Sequence, residues 1–324
     1  MKIIVLGAGT FGTAIANELS FNKENNVVLF SRHQLKVDEI NTLHTNKNCF
    51  PNKHLNESLR ASSNRNDLKK ANIILLALPS HVMISYLLEL RPYFNQNILF
   101  LNLSKGIFSN GVIIVDGIKN AIKTDQVVSL KGPSFAVEIM ERSETLLTLG
   151  YEQDQQRKKI SKIFNNTSLY LDYTHDILGV EILSVVKNIY ALFIGVVDAK
   201  YNSSNTRFMV LTKTFSEIRL IARSLGCKED TLFLACGLGD FCLTSLNDLS
   251  RNRTLGLLIG KGFFNSDYNV KKVITEGFSA IDLVYSMLDD KIKLELPIFN
   301  TLYKYIKTNK SIMKIDFDDL IKIK

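Results

Sequence analysis

Four short constellations in this chain combine residue types that handle anions, protons or both. Gly7-Ala8-Gly9-Thr10-Phe11-Gly12 lies directly behind the apolar run at 3–6. In such a loop a first glycine permits a tight turn and a second lets backbone approach a pyrophosphate. A third allows close helix–strand packing, and N–H groups at the helix start then face the negative charge. Lys187 stands in the segment 179–195, which is apolar almost all the way round and therefore reads as a buried helix. A buried lysine finds partners or shifts its pKa. With a lowered pKa it can protonate an alkoxide as hydride reaches a carbonyl carbon. The residues alone leave a second reading open, a lysine snorkelling at the helix flank with its stem over the core.

The other two constellations lie further on. Ser250-Arg251-Asn252-Arg253 precedes an amphipathic run at 254–259. Ser250 is a good N-cap, first-turn N–H groups lack partners, and Arg251 adds a fork-shaped donor beside a positive helix end. That is an anion site, or else a capped helix with incidental charges. Gly237-Leu238-Gly239-Asp240 places a carboxylate in a glycine turn with Thr244 one helical turn later. Asp240 is placed to hold Lys187, to hold a substrate hydroxyl, or to cap its own helix.

These residues need elements to position them. Short apolar runs at 3–6, 27–30, 73–78, 98–103 and 127–130 read as strands, and the stretches at 14–20 and 82–93 carry helical periodicity. Continuous Val/Ile/Leu strands alternating with helices predict an α/β domain with a mostly parallel sheet covered on both faces. Runs at 145–149 and 169–173 extend that sheet. From residue 177 helical periods dominate, at 177–199, 207–225, 253–259, 271–288 and 302–306, with Pro297 separating the last pair. The expectation is a dinucleotide-binding Rossmann-like domain over 1–178 and an all-helical substrate-binding domain over 179–324. The Lys-rich stretch at 304–324 reads as solvated surface or a frayed tail.

In an open parallel sheet, ligands sit outside the carboxyl ends of the strands. Loops leaving that edge are Leu78-Pro79-Ser80-His81, Ser104-Lys105-Gly106 and Lys131-Gly132-Pro133-Ser134-Phe135-Ala136. Lys105, directly after an apolar strand, suits an anionic or carbonyl group. At the tip of the second strand, where a carboxylate would bond a ribose 2′-hydroxyl, the chain reads Ser31-Arg32-His33. An Arg there favours a 2′-phosphate, so the tip leans toward NADPH over NADH. The alternative is a solvated Arg32 and loose cofactor choice.

Composition narrows the classes. With 324 residues, 46% hydrophobic and 22% charged, the chain can bury a large core, and disorder is a poor fit. A net charge of +8 suits the approach of an anionic ligand. No basic run interleaves with aromatics, which argues against nucleic acid. The opening apolar run is too short for a signal segment or a membrane span. Cys49, Cys227, Cys236 and Cys242 lack zinc or redox spacing, which points to a reducing, cytoplasmic compartment. The expected partner is a phosphorylated small molecule, no metal is called for, and the apolar helices are consistent with a homodimer.

Taken together, the segments resemble the NAD(P)-dependent glycerol-3-phosphate dehydrogenase family, chiefly its bacterial branch. The matching pieces are GAGTFG at 7–12, LSKG at 103–106, GPSFAVE at 132–138 and GVEILSVVKNIYA at 179–191. NTR at 205–207, GLGDFCLT at 237–244, SRNRTLG at 250–256 and ITEG at 274–277 follow in order. By that resemblance the chain reversibly reduces dihydroxyacetone phosphate to sn-glycerol 3-phosphate, feeding glycerophospholipid synthesis. Lys187 is then the proton donor and acceptor, and Lys105 contacts both substrate and cofactor. Gly132 and Ser134 line the substrate side, and Asp240, Ser250, Arg251 and Asn252 grip the glycerol phosphate. NADP(H) or NAD(H) lies on Gly7, Gly9, Thr10, Phe11, Gly12, Arg32 and Ala136, with Arg251, Ile274 and Glu276 completing its site.

The chain departs from the family pattern around Asn205. Lys200-Tyr201-Asn202-Ser203-Ser204 replaces a glycine-rich turn, and Phe208 to Lys213 lack the usual small residues and second arginine. Ala235-Cys236 replaces a glycine-containing approach to the GLGD turn. Rival readings are a related two-domain hydroxyacid dehydrogenase and a catalytically silent dinucleotide-binding protein. The SRN segment argues against the first, and intact Lys187 and Asp240 against the second.

Overall fold

The apolar runs of the first half form strands because their Val, Ile and Leu side chains pack on both faces of one sheet. In the computed structural model these are β1 (Lys2–Leu6), β2 (Asn26–Phe30), β3 (Arg60–Ser62), β4 (Ile73–Leu76), β5 (Leu99–Asn102), β6 (Val127–Lys131), β7 (Thr145–Gly150) and β8 (Leu169–Thr174). The structure describes residues 1–108, 111–263, 276–308 and 315–321. Two units result, Met1–Ser104 with Val112–Ile177, and Lys105–Gly111 with Leu178–Lys324.

The first unit is Rossmann-like. Its sheet has the order β3-β2-β1-β4-β5-β6-β7-β8. The first six strands are parallel, in registers such as Ile3 beside Val27 and Ile73. β7 runs antiparallel to β6, and β8 runs parallel to β7. Helices α1 (Thr10–Leu19), α2 (Gln34–Leu43), α3 (Ser80–Leu90), α4 (Ile114–Ile122), α5 (Ala136–Met140) and α6 (Asp154–Phe164) connect the strands. The core gathers Ile3, Val5, Leu29, Leu75, Leu101 and Val128 with Ala14 and Ile15 of α1. Each Ile or Leu so buried stabilises by about 1.5–3 kcal/mol relative to exposure. β4 ends two residues short of its apolar run, because the chain turns at Pro79 into α3.

The second unit is helical. Its long helix α7 (Ile177–Tyr201) is followed by α8 (Ser204–Ser224), α9 (Asp240–Leu246), α10 (Arg251–Gly260) and α11 (Glu276–Met287). The last helices are α12 (Asp290–Leu294), α13 (Pro297–Thr308) and α14 (Phe317–Ile321). Helix α7 is long and apolar enough to cross a membrane by composition, yet its apolar window is wholly buried in protein. Two glycines explain how α10 reaches it. A Cβ on Gly195 would lie 2.3 Å from the Arg253 carbonyl oxygen, and one on Gly256 would lie 2.0 Å from that of Leu192. Pro297 opens α13, where its missing N–H costs no hydrogen bond. The helical period at 271–288 begins at 271–275, outside the described residues, and continues as α11.

Candidate active site

The glycine loop in the first unit meets three separate steric demands. Gly7 takes φ +114°, and a Cβ there would lie 2.3 Å from the Ala77 carbonyl oxygen. At Gly12 a Cβ would come within 2.0 Å of the Gly7 oxygen, which welds α1 against the loop. Gly9 is different, because a Cβ there meets nothing within 4 Å. It caps α1 without a side chain, and no acidic residue occupies the first turn, so the positive helix end stays uncompensated. Thr10 and Phe11 supply the first-turn N–H groups, and the Phe11 ring packs on the core.

A cavity of about 580 Å³ opens at this loop, with Gly7 and Gly9 on one side and Arg32, His33, Pro79 and Tyr86 among its other walls. The Arg32 guanidinium lies 6.0 Å from the Tyr86 ring centroid. Open space over Gly9, an uncapped helix end and cationic walls fit a dinucleotide with its pyrophosphate on the loop. Of the residues assigned to the cofactor from the sequence, Gly7, Gly9 and Arg32 line this cavity, as does Tyr86, which no motif singled out. That ring sits on α3, whose periodicity marked a helix without showing which face meets the sheet edge. Gly132, Ser134 and Ala136 follow β6, and the Ser134 hydroxyl donates to the Gly132 carbonyl over 3.1 Å. The preceding Lys131 is buried, donating to Ser129 Oγ at 2.7 Å and the Asn102 carbonyl at 3.1 Å.

In the second unit α7 carries Lys187 to a polar centre. Its side chain is 4% exposed and does not snorkel. Nζ donates to Asp240 Oδ1 and Thr244 Oγ1, both at 2.5 Å. The other carboxylate oxygen of Asp240 accepts from Lys105 Nζ at 3.2 Å. Asp240 begins α9 directly after the π-helical turn Ala235–Gly239, whose wide winding sets the carboxylate inward. Tight packing holds the turn, since a Cβ on Gly237 would meet the Leu232 oxygen at 2.2 Å. One buried carboxylate thus lies between two ammonium groups. Burial pushes the Lys187 ammonium down, Asp240 pushes it up and Lys105 pushes it down again, leaving a pKa of about 7. Thr244 joins this centre four residues after Asp240, on the same face of α9.

Ser250, Arg251 and Asn252 open α10. Ser250 Oγ accepts from the Arg253 N–H at 3.3 Å, and Asn252 Oδ1 accepts from the Gly277 N–H at 3.0 Å. Arg251 is exposed beside the helix start, whereas Arg253 turns inward. Arg253 Nη1 pairs with Asp198 Oδ2 and donates to the Ser245 carbonyl at 3.1 Å, and Nε reaches Asp248 at 3.0 Å. Asp198 also accepts from Arg207 Nε at 2.6 Å. Ile274 lies outside the described residues, and of Glu276 only the backbone, at the start of α11, is described.

Residues 2–157 match the family model for the N-terminus of NAD-dependent glycerol-3-phosphate dehydrogenase, and residues 176–315 match that for its C-terminus. The chain belongs to this family. A glycerol-3-phosphate dehydrogenase (NAD(P)+) of Maridesulfovibrio salexigens is 32% identical over 316 residues, covering 96% of this chain and 95% of its own. One from Clostridium botulinum strain Eklund 17B is 32% identical over 327 residues, with 99% and 97% covered. The crystal structure of the Coxiella burnetii glycerol-3-phosphate dehydrogenase superposes with a TM-score of 0.85 at 26% identity, covering 96% of this chain and 95% of that one.

Proposed function

We propose that this dehydrogenase interconverts dihydroxyacetone phosphate and sn-glycerol 3-phosphate, with Lys187 as the proton donor and acceptor. The observation that carries the reading is the buried Lys187–Asp240–Lys105 cluster, in which Nζ of Lys187 is held by Asp240 and Thr244 while burial lowers its pKa to about 7. A bound nicotinamide dinucleotide supplies or takes the hydride. Lys187 Nζ gives its proton to the ketone oxygen during reduction and takes the hydroxyl proton during oxidation. Asp240 and Thr244 fix the direction of Nζ through their hydrogen bonds. Lys105 and the remaining ammonium charge stabilise the developing alkoxide without a metal.

Substrate phosphate falls to the start of α10, where Arg251 stands beside first-turn N–H groups. Gly132 and Ser134 belong to the same reading as substrate contacts, as do Ala136, Ile274 and Glu276 as cofactor contacts. Residues 1–178 then bind dinucleotide and 179–324 bind substrate, with Lys105 contributed by the loop Lys105–Gly111 of the second unit. NADPH is the favoured cofactor, since Arg32 and His33 line the cavity at the tip of β2. Four free cysteines suit a reducing cytoplasm. Exposed Leu249 and Phe263 in the second unit suit a homodimer.

The test is oxidation of NADPH, and separately NADH, by dihydroxyacetone phosphate, for wild type and Lys187→Met. Loss of a general acid should lower kcat about 10²–10⁴-fold while NADPH still binds. A cofactor-binding wild type that oxidises nothing would overturn the substrate assignment, and an unimpaired Lys187→Met would overturn the role of the lysine.

A further inference from the structure

The glycine loop is held in place by side chains that the function above does not use, one of which, Lys36, also lines the cavity. Three donors converge on one backbone oxygen, the Ala8 carbonyl: Lys36 Nζ at 3.0 Å, Asn46 Nδ2 at 3.3 Å and Cys49 Sγ at 3.7 Å. Asn46 is fully buried, in a turn where its carbonyl accepts from the Cys49 and Phe50 N–H groups, both at 2.9 Å. Its amide nitrogen also donates to Thr13 Oγ1 at 2.8 Å, so one side chain ties the loop to α1. The amide oxygen is buried without a partner among the described residues. An apolar side chain would fill such a site without that desolvation cost. The two donated hydrogen bonds are therefore what the amide contributes.

We infer that Asn46 is a positioning residue for the dinucleotide pyrophosphate, acting through the Ala8–Gly9 peptide. Across a trans peptide the C=O and N–H point in opposite directions, and the described chain contains no cis peptide. Anchoring the Ala8 oxygen therefore fixes the direction of the Gly9 N–H, in a loop where a Cβ on Gly9 would meet nothing within 4 Å. Without the buried Asn46 bond the peptide plane is held only by the Lys36 and Cys49 side chains, and rotation of the plane swings its carbonyl dipole against an anion on the loop. The pyrophosphate is common to NADPH and NADH, so Asn46 acts on both alike, unlike Arg32.

This inference rests on the dinucleotide reading of the loop, and fluorescence titration with NADPH and NADH separates the two. Failure of wild type to bind either cofactor would overturn that reading itself. Given wild-type binding, Asn46→Asp and Asn46→Leu should raise Kd for both cofactors about tenfold, the loss of one charge-assisted hydrogen bond. The kcat at saturating cofactor should stay within about twofold, because uniform binding is what is lost. Thr13→Val removes the other hydrogen bond of the same amide, so it should lower Tm and leave Kd unchanged. Should neither Asn46 variant fold, Asn46→Ser keeps a small polar side chain too short to reach the Ala8 oxygen, with the same rise expected for both cofactors. Unchanged Kd in the Asn46→Asp and Asn46→Leu variants, or in Asn46→Ser where it stands in for them, would overturn the inference. So would parallel changes in the Asn46 and Thr13 variants.

Discussion

Asp240→Asn keeps the size of the side chain at the centre of the charge cluster and removes its charge, 2.5 Å from Lys187 Nζ. At an effective dielectric constant of about 20, a unit charge ~4 Å away is worth about 4 kcal/mol. One pKa unit corresponds to about 1.4 kcal/mol, so the change is worth roughly three units, less whatever the amide dipole restores. The direction is down, because Asp240 is the group that lifts Lys187 back toward its ordinary value. In wild type, kcat/KM for oxidation of glycerol 3-phosphate should rise with pH through about 7, since the neutral amine is the base. In Asp240→Asn the amine is already neutral, and the profile should be flat between about pH 6 and 9. Reduction at pH 7 should fall about a hundred- to a thousandfold, as the protonated fraction disappears. Asp240 also faces substrate in the proposed site, so the height of the profile reports several effects at once while its shape reports one. A variant whose oxidation profile still climbs through neutrality would refute the reasoning, however active or inactive it is.

Two further predictions concern the frame around this centre. Glu217→Ala removes the carboxylate that accepts from the Ile298 and Phe299 N–H groups at 2.7 and 2.9 Å and from the Tyr190 hydroxyl at 2.8 Å. Three buried donors are orphaned, and urea unfolding should show a loss of about 3–5 kcal/mol. Burial raises the Glu217 pKa from 4.5 to about 7. Its contribution is thus fully present below the unfolded value and lost as pH rises through the folded one. In Glu217→Ala that decline should vanish from the stability profile. Arg253→Met keeps the stem and deletes one of the two guanidinium groups that pair Asp198, Arg207 being the other, so it should destabilise by about 1–3 kcal/mol in the same assay. A change under about 1 kcal/mol would show that the pair behaves as a surface ion pair.

Much of this was legible in the sequence, and the exceptions have physical causes. The strands around β1 were readable because strands buried on both faces must be continuously apolar. β3 was not, since Arg60-Ala61-Ser62 offers a single apolar side chain at a sheet edge. The reversal of β7 left no trace, because a local pattern encodes burial and not direction. Lys187 stood out as a charge in an apolar helix. Its pairing was only one of several options for Asp240, because the partners lie 53 residues apart, and Lys105 is 135 residues from Asp240. Asn46 sits in the polar run Thr45-Asn46-Lys47-Asn48, which reads as solvated loop. Its burial is created by α1 and the glycine loop closing over it. Glu217 falls inside the helical period at 207–225, which carries no sign of its burial, since its partners at 298 and 299 lie in another helix.

The stoichiometry of charge in the cluster carries one more consequence. Among the described contacts two ammonium groups share one carboxylate, and two events lower the positive charge there. Lys187 can lose its proton, or an anion can bind nearby. These compete, because each removes the need for the other. A phosphorylated ligand therefore raises the Lys187 pKa above the value of about 7 that the free protein has. The profile of kcat/KM reports free enzyme and that of kcat reports the ligand complex. It follows that the break in kcat for reduction should lie at higher pH than the break in kcat/KM. Coincident breaks would mean that the substrate phosphate sits too far from Nζ to be felt, and would place proton delivery and phosphate recognition under separate control.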